Sequence, residues 1–111
     1  MQPSAEQIPH NEWPHFFDEF TNRNKGRSIK IEKLMQDKRE EVEHEMPLFG
    51  IDYDPHHGEM ISISLGVDRL KYEHPIMGPK EVKLEQDNEG RAKVMRVTGR
   101  DNEEFIVTFQ S

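Results

Sequence analysis

Apolar and polar residues alternate along most of the chain, most cleanly at Ile61-Ser62-Ile63-Ser64-Leu65. A strand turns successive side chains to opposite faces, so Ile61, Ile63 and Leu65 share one face and both serines the other. The same period recurs in short segments from Ser28 to Phe109. One segment departs from it. Trp13, Phe16, Phe17 and Phe20 follow offsets of three, four and seven, the spacing of one helical face, with Asp18 and Glu19 pointing away. Asn11 is an N-cap candidate. Pro14 suits the first turn, where its missing N–H is harmless, and Gly26 is a C-terminal cap candidate. The pattern predicts a helix over about 11–24 after a loose, flexible arm at 1–10.

A first strand is predicted at 27–35, with Ile29 and Ile31 on one face, followed by a polar turn at Gln36-Asp37-Lys38-Arg39. The second, 40–46, sets Val42, His44 and Met46 against Glu41, Glu43 and Glu45. Pro47 interrupts it, and Gly50 allows a bend or bulge. Phe49, Ile51 and Tyr53 then form a hairpin with 59–65 across the turn Asp54-Pro55-His56-His57-Gly58. Leu70 and Tyr72 open a short strand that gives way to a loop at 74–79, where Pro75, Gly78 and Pro79 break the ladder. Strands at 80–86, 91–98 and Phe105 to Phe109 complete the chain; the 91–98 strand is apolar on both faces and therefore central. Sequential pairing through short turns is the economical topology. The expectation is an α+β fold, with one N-terminal amphipathic helix packed on a curled, mostly antiparallel meander of about six or seven strands. A partly closed barrel or a strongly bent sheet satisfies it. At 111 residues this is a single domain, spanning 11–111.

Composition changes the picture in three ways. Apolar residues at 32% against 33% charged leave a thin core, which a partner can complete. The net charge of -7 repels nucleic acid. The one basic cluster, Arg23, Lys25, Arg27 and Lys30, reads as cations placed at a helix C-terminus. The absence of cysteine excludes disulfides, thiol chemistry and cysteine-type zinc sites, and fits a reducing compartment. No run approaches the roughly 20 apolar residues a membrane span needs, and the first ten residues lack the apolar centre of a signal peptide. The protein is expected to be cytoplasmic, with no nucleic acid and no membrane among its partners.

Several segments carry a resemblance when taken together. Glu12-Trp13 with Phe16-Phe17 and Phe20 comes first, then Met46-Pro47-Leu48-Phe49-Gly50-Ile51-Asp52-Tyr53-Asp54. Ile61-Ser62-Ile63-Ser64-Leu65-Gly66 follows, and then His74-Pro75-Ile76. This order resembles the DUF5335 family of uncharacterised bacterial proteins over about 11–110. The resemblance implies no activity, cofactor or catalytic residue.

Four groups of residues are candidates for chemistry. Asp52, Asp54, His56, His57 and Glu59 fall within eight positions and form a usable ligand set for zinc or nickel, or else a polar hairpin tip. His44 shares a strand face with Val42 and Met46, where a half-buried imidazole serves as a base or pH switch, or is simply a satisfied core histidine. His74 is held extended by Pro75; it either caps a strand end or lines a ligand pocket with His44 and Tyr53 or Tyr72. Trp13 either packs under the sheet or anchors a partner. There is no phosphate-cradling loop, dinucleotide fingerprint or nucleophile elbow, so no cofactor is implied. The expected role is non-enzymatic: binding another protein, or self-association as a homo-oligomer, through an open strand edge or an apolar patch. The alternatives are a small-ligand or enzymatic pocket near His44 and His74, and a divalent-metal site at Asp52 to Glu59.

Overall fold

A computed structural model of the chain describes residues 5–56, 58–67 and 70–110. A short strand, β1 (Ala5–Gln7), leads through a 3-10 turn (His10–Glu12) into one helix, α1 (Trp13–Asn24). Seven more strands follow: β2 (Ser28–Met35), β3 (Lys38–Asp54), β4 (Met60–Val67), β5 (Leu70–Met77), β6 (Glu81–Gln86), β7 (Ala92–Thr98) and β8 (Glu104–Phe109). All pair antiparallel in one open sheet of order β1-β6-β7-β8-β2-β3-β4-β5. The α+β expectation stands, with eight strands in place of six or seven. Two meanders, β2 to β5 and β6 to β8, are joined where β8 lies against β2.

That order forces curvature. β5 and β6 are consecutive in the chain but lie far apart in the sheet. In a flat sheet their separation is about 29 Å, six strand spacings of roughly 4.8 Å. Only residues 78–80 connect them, and four Cα steps reach at most about 15 Å. The sheet therefore curls until the end of β5 meets the β7–β8 turn. There the Arg100 N–H donates to the Met77 carbonyl at 3.0 Å, and Lys80 N–H donates to Thr98 at 2.7 Å.

β3 is one long strand where two were expected. Pro47 does not end it, because Pro47 stands opposite Ser28, where β2 begins and its ladder stops. The first part of β3 pairs with β2, and its second part, from Leu48, pairs with β4. From Leu48 onward one flank of β3 thus has no strand neighbour. The helix segment takes that place. Gly26 N–H donates to Leu48 C=O, and Leu48 N–H to Arg27 C=O, both at 2.8 Å. The Thr21 hydroxyl accepts from Ile51 N–H at 3.0 Å and donates to Ile51 C=O at 3.2 Å. Gly50 allows this approach, since a Cβ there would lie 3.3 Å from Thr21 Cγ2. The predicted bulge is present, between Leu48 and Gly50.

Trp13, Phe17 and Phe20 form the buried face of α1, lying over a dry layer that includes Ile29, Ile31, Ile61, Ile63, Leu65, Met95 and Val107. Phe20 meets Phe109 edge-on at 5.5 Å. Pro14 sits in the first turn as expected. The N-cap is Glu12 rather than Asn11, because His10–Glu12 are taken up by the 3-10 turn. The described part of the expected loose arm is ordered: β1 pairs with β6, Ile8 N–H donates to Val82 C=O at 2.8 Å, and the Ile8 side chain is buried.

Thr21→Val keeps the shape of the side chain but leaves two polar groups of the buried Ile51 backbone without a partner. The substitution is expected to lower unfolding stability by about 1–3 kcal/mol, with Thr21→Ser close to the parent. Urea denaturation of the three proteins checks this.

Candidate functional site

The described structure gathers one polar cluster from three elements. His10 comes from the 3-10 turn, Tyr53 from β3 and Glu59 from the loop entering β4. His10 Nε2 lies 2.6 Å from Glu59 Oε1 and 3.1 Å from the Tyr53 hydroxyl. The Tyr53 hydroxyl donates to the same Glu59 oxygen. Trp13 stands edge-on to Tyr53 at 5.4 Å and to His10 at 4.3 Å, while its indole N–H donates to Ile8 C=O at 3.0 Å. Glu59 holds a φ of 69°, a left-handed backbone that non-glycine residues adopt at a cost of about 1–2 kcal/mol. Its carbonyl accepts from Gly78 N–H and its own N–H donates to His56 C=O, both at 3.1 Å.

Electrostatics within this cluster is mutual. Partial burial, then the hydrogen bond to Glu59, pushes the Tyr53 phenol from 10.0 up to about 12. The hydrogen bond from Tyr53 holds the Glu59 carboxyl below its ordinary 4.5, with His10 adding to the effect and partial burial opposing it. A phenol so reluctant to ionise is a proton donor, not a base, at neutral pH. The cluster therefore works as a clasp that fastens the N-terminal segment to the β3–β4 hairpin.

The other candidates do not assemble into one site. His44 leaves the dry face and is exposed, its Nδ1 lying 2.9 Å from Glu41, whose hydrogen bond raises the imidazole's pKa. The cause is the register of β3, which slips twice between Met46 and Glu41 against β2. Each slip inserts a residue that alternation does not count. His74 is half-buried and edge-on to Phe105 at 5.3 Å. Burial lowers its pKa, with Glu43 on β3 opposing and Lys33 on β2 reinforcing the shift. Its Nε2 is buried with no hydrogen-bond partner among the described residues. His44 and His74 thus do not line a common pocket. Asp54 Oδ1 accepts from the N–H of His56 and lies 2.9 Å from its Nδ1, as in a turn organised by aspartate. Asp52 is exposed on the face opposite Tyr53, Glu59 turns to the clasp, and His57 lies outside the described residues. No three His, Asp or Glu side chains converge on a metal position among the described residues. Trp13 is 1% exposed, so its ring belongs to the core and not to an accessible surface.

Tyr72 lies on β5, the edge of the sheet, and is 56% exposed. The backbone polarity of this edge follows from Thr21. Because both polar groups of Ile51 face Thr21, Ile51 and Ile63 form a non-hydrogen-bonded pair. Ile63 therefore bonds to His74, and Leu65 to Tyr72. The N–H and C=O groups of positions 71, 73, 75 and 77 then point outward. Pro75 has no N–H, and the Met77 carbonyl is taken by Arg100. Among the described residues, the free edge consists of the backbone groups at positions 71 and 73 and the Pro75 carbonyl.

A separate groove of about 290 Å³ runs between α1 and the β6–β7 side of the sheet. Its lining includes the apolar Phe16, Phe20 and Leu84, three arginines (positions 23, 27 and 91) and three glutamates (positions 6, 12 and 19).

The clasp has a pH signature. Between pH 10 and about 12 the unfolded chain releases the Tyr53 proton and the folded protein keeps it. The stabilisation is complete below pH 10 and declines as pH rises through that window. Absorbance titration near 295 nm is expected to show one late-ionising tyrosine, absent from Tyr53→Phe. On the acid side the Glu59 contribution is present above pH 4.5 and is lost as pH falls below it.

No curated protein and no solved structure matches this chain. A family model described as a family of unknown function, DUF5335, matches residues 4–111. With the match covering essentially the whole fold described above, the chain belongs to the DUF5335 family.

Proposed function

We propose that this protein is a non-enzymatic interaction module of the bacterial cytoplasm, and that its binding element is the open edge of β5. One observation carries the reading. The large apolar side chains exposed among the described residues, Val67 at 60%, Tyr72 at 56% and Met77 at 40%, all lie on the β4–β5 hairpin. An apolar surface beside unpaired backbone donors and acceptors is what an added strand uses: the ladder supplies affinity and the side chains supply choice of partner. The charge of -7 and the cysteine-free composition fit a protein partner in a reducing compartment. Within the basic cluster Arg23 lies against Glu19, Lys25 over the Phe49 ring and Arg27 against Asn24.

The test is affinity capture with the immobilised protein beside Glu73→Pro, a substitution that removes an outward N–H and leaves the internal ladder intact. Proteins retained by the parent are expected to be absent from the Glu73→Pro column. Identical retained sets on both columns refute the edge reading.

The groove under α1 favours a second reading, binding of an amphiphilic anion with an apolar body on Phe16 and Phe20 and its carboxylate toward the arginines. Medium-chain carboxylates are expected to raise the melting temperature, and Arg27→Ala to remove the rise. An unchanged melting temperature with saturating carboxylate rejects this reading.

A further inference from the structure

We infer that the partner of β5 is β5 of a second copy of this chain, paired antiparallel about a two-fold axis through Tyr72. The inference rests on the edge reading above and names its occupant. Symmetric antiparallel pairing requires outward-facing residues to stand opposite one another. On β5 the outward positions are 71, 73, 75 and 77, as Thr21 and the ladder to β4 dictate. Registers centred on positions 71, 72, 73 and 74 can be drawn near the exposed part of the edge; the one centred on 74 sets Glu73 against Pro75, which has no N–H to donate.

A register centred on Glu73 sets that carboxylate against its own copy and sets position 71 against Pro75, which has no N–H to donate. Centring on position 71 sets basic against basic. The register centred on Tyr72 places position 71, basic in sequence, opposite the acidic position 73, on both sides of the axis. Both facing pairs then exchange N–H···O bonds in both directions, and Pro75 lies outside the paired stretch. Tyr72 stands against Tyr72 of the second copy in the closer, non-hydrogen-bonded pair, on the dry face it shares with the buried Leu65. Aromatic pairs at such positions are among the favourable cross-strand contacts. Beyond Pro75 the Arg100 N–H already occupies the Met77 carbonyl, so the edge is open where the register uses it and closed where it does not.

The chain has no cysteine, so single cysteines report the register directly. A non-hydrogen-bonded pair holds its Cα atoms about 4.5 Å apart, inside the range a disulfide spans. Tyr72→Cys is expected to form a covalent dimer under mild oxidation at least about ten-fold faster than Pro75→Cys. In parallel, light scattering of the unsubstituted protein is expected to show a concentration-dependent dimer that Glu73→Pro abolishes. A monomer at the highest soluble concentration overturns the inference, as does equal cross-linking through Pro75→Cys. If that monomer still captures partners that Glu73→Pro loses, the self-pairing alone has failed. A dimer that survives Glu73→Pro, with capture also unchanged, removes the edge reading as well.

Discussion

A three-residue link between strands six spacings apart in the sheet is the constraint on which the rest depends. It rules out a flat sheet. Curling folds the dry face inward, so that His74 on an edge strand touches Phe105 on a middle one. A chain with so few apolar residues needs this geometry. A curled sheet covers much of its own apolar face, and a single helix suffices for the remainder. The outer face, freed from packing, carries charge instead, as where Arg96 donates to Glu104 at 2.7 Å and to Glu85 at 3.4 Å.

The helix does more than cover. β3 exchanges one neighbour for another along its length, and the exchange leaves a backbone flank that apolar packing cannot satisfy. A buried N–H and C=O need partners, and one hydroxyl serves both. This explains the polar Thr21 beside the mostly aromatic inward stripe of the helix, and the absence of a side chain at Gly50 facing it. The same contact sets the hydrogen-bonding parity of β4 and then of β5. Polarity at the outermost edge is therefore inherited from a contact two strands away.

Local order was legible wherever a period ran unbroken. The aromatic stripe of α1, the Ile61 to Leu65 strand and the inward set Phe105, Val107 and Phe109 are buried as their spacing implies. Reading by period failed where a residue was inserted. Two slips in β3 moved His44 to solvent, and a slip beside Gln86 brought Ala92 onto the face of Met95 and Val97. β1 is too short to show a period, and its partner lies about eighty residues away in sequence. His10 was missed for the same reason: its place beside Tyr53 and Glu59 exists only once β1 and the 3-10 turn are fixed against the sheet.

An open sheet has two edges, and an unprotected pair of edges invites head-to-tail stacking into fibres. Here the two edges are unequal. Among the described residues β1 spans Ala5–Gln7 and runs into Pro9 and the 3-10 turn. β5 spans eight residues, yet Pro75 lacks a donor and Arg100 covers Met77, so its usable window is confined to the stretch around Tyr72. Punctuating the β5 edge in this way confines any added strand to that window, where Tyr72 is the exposed apolar residue it would cover.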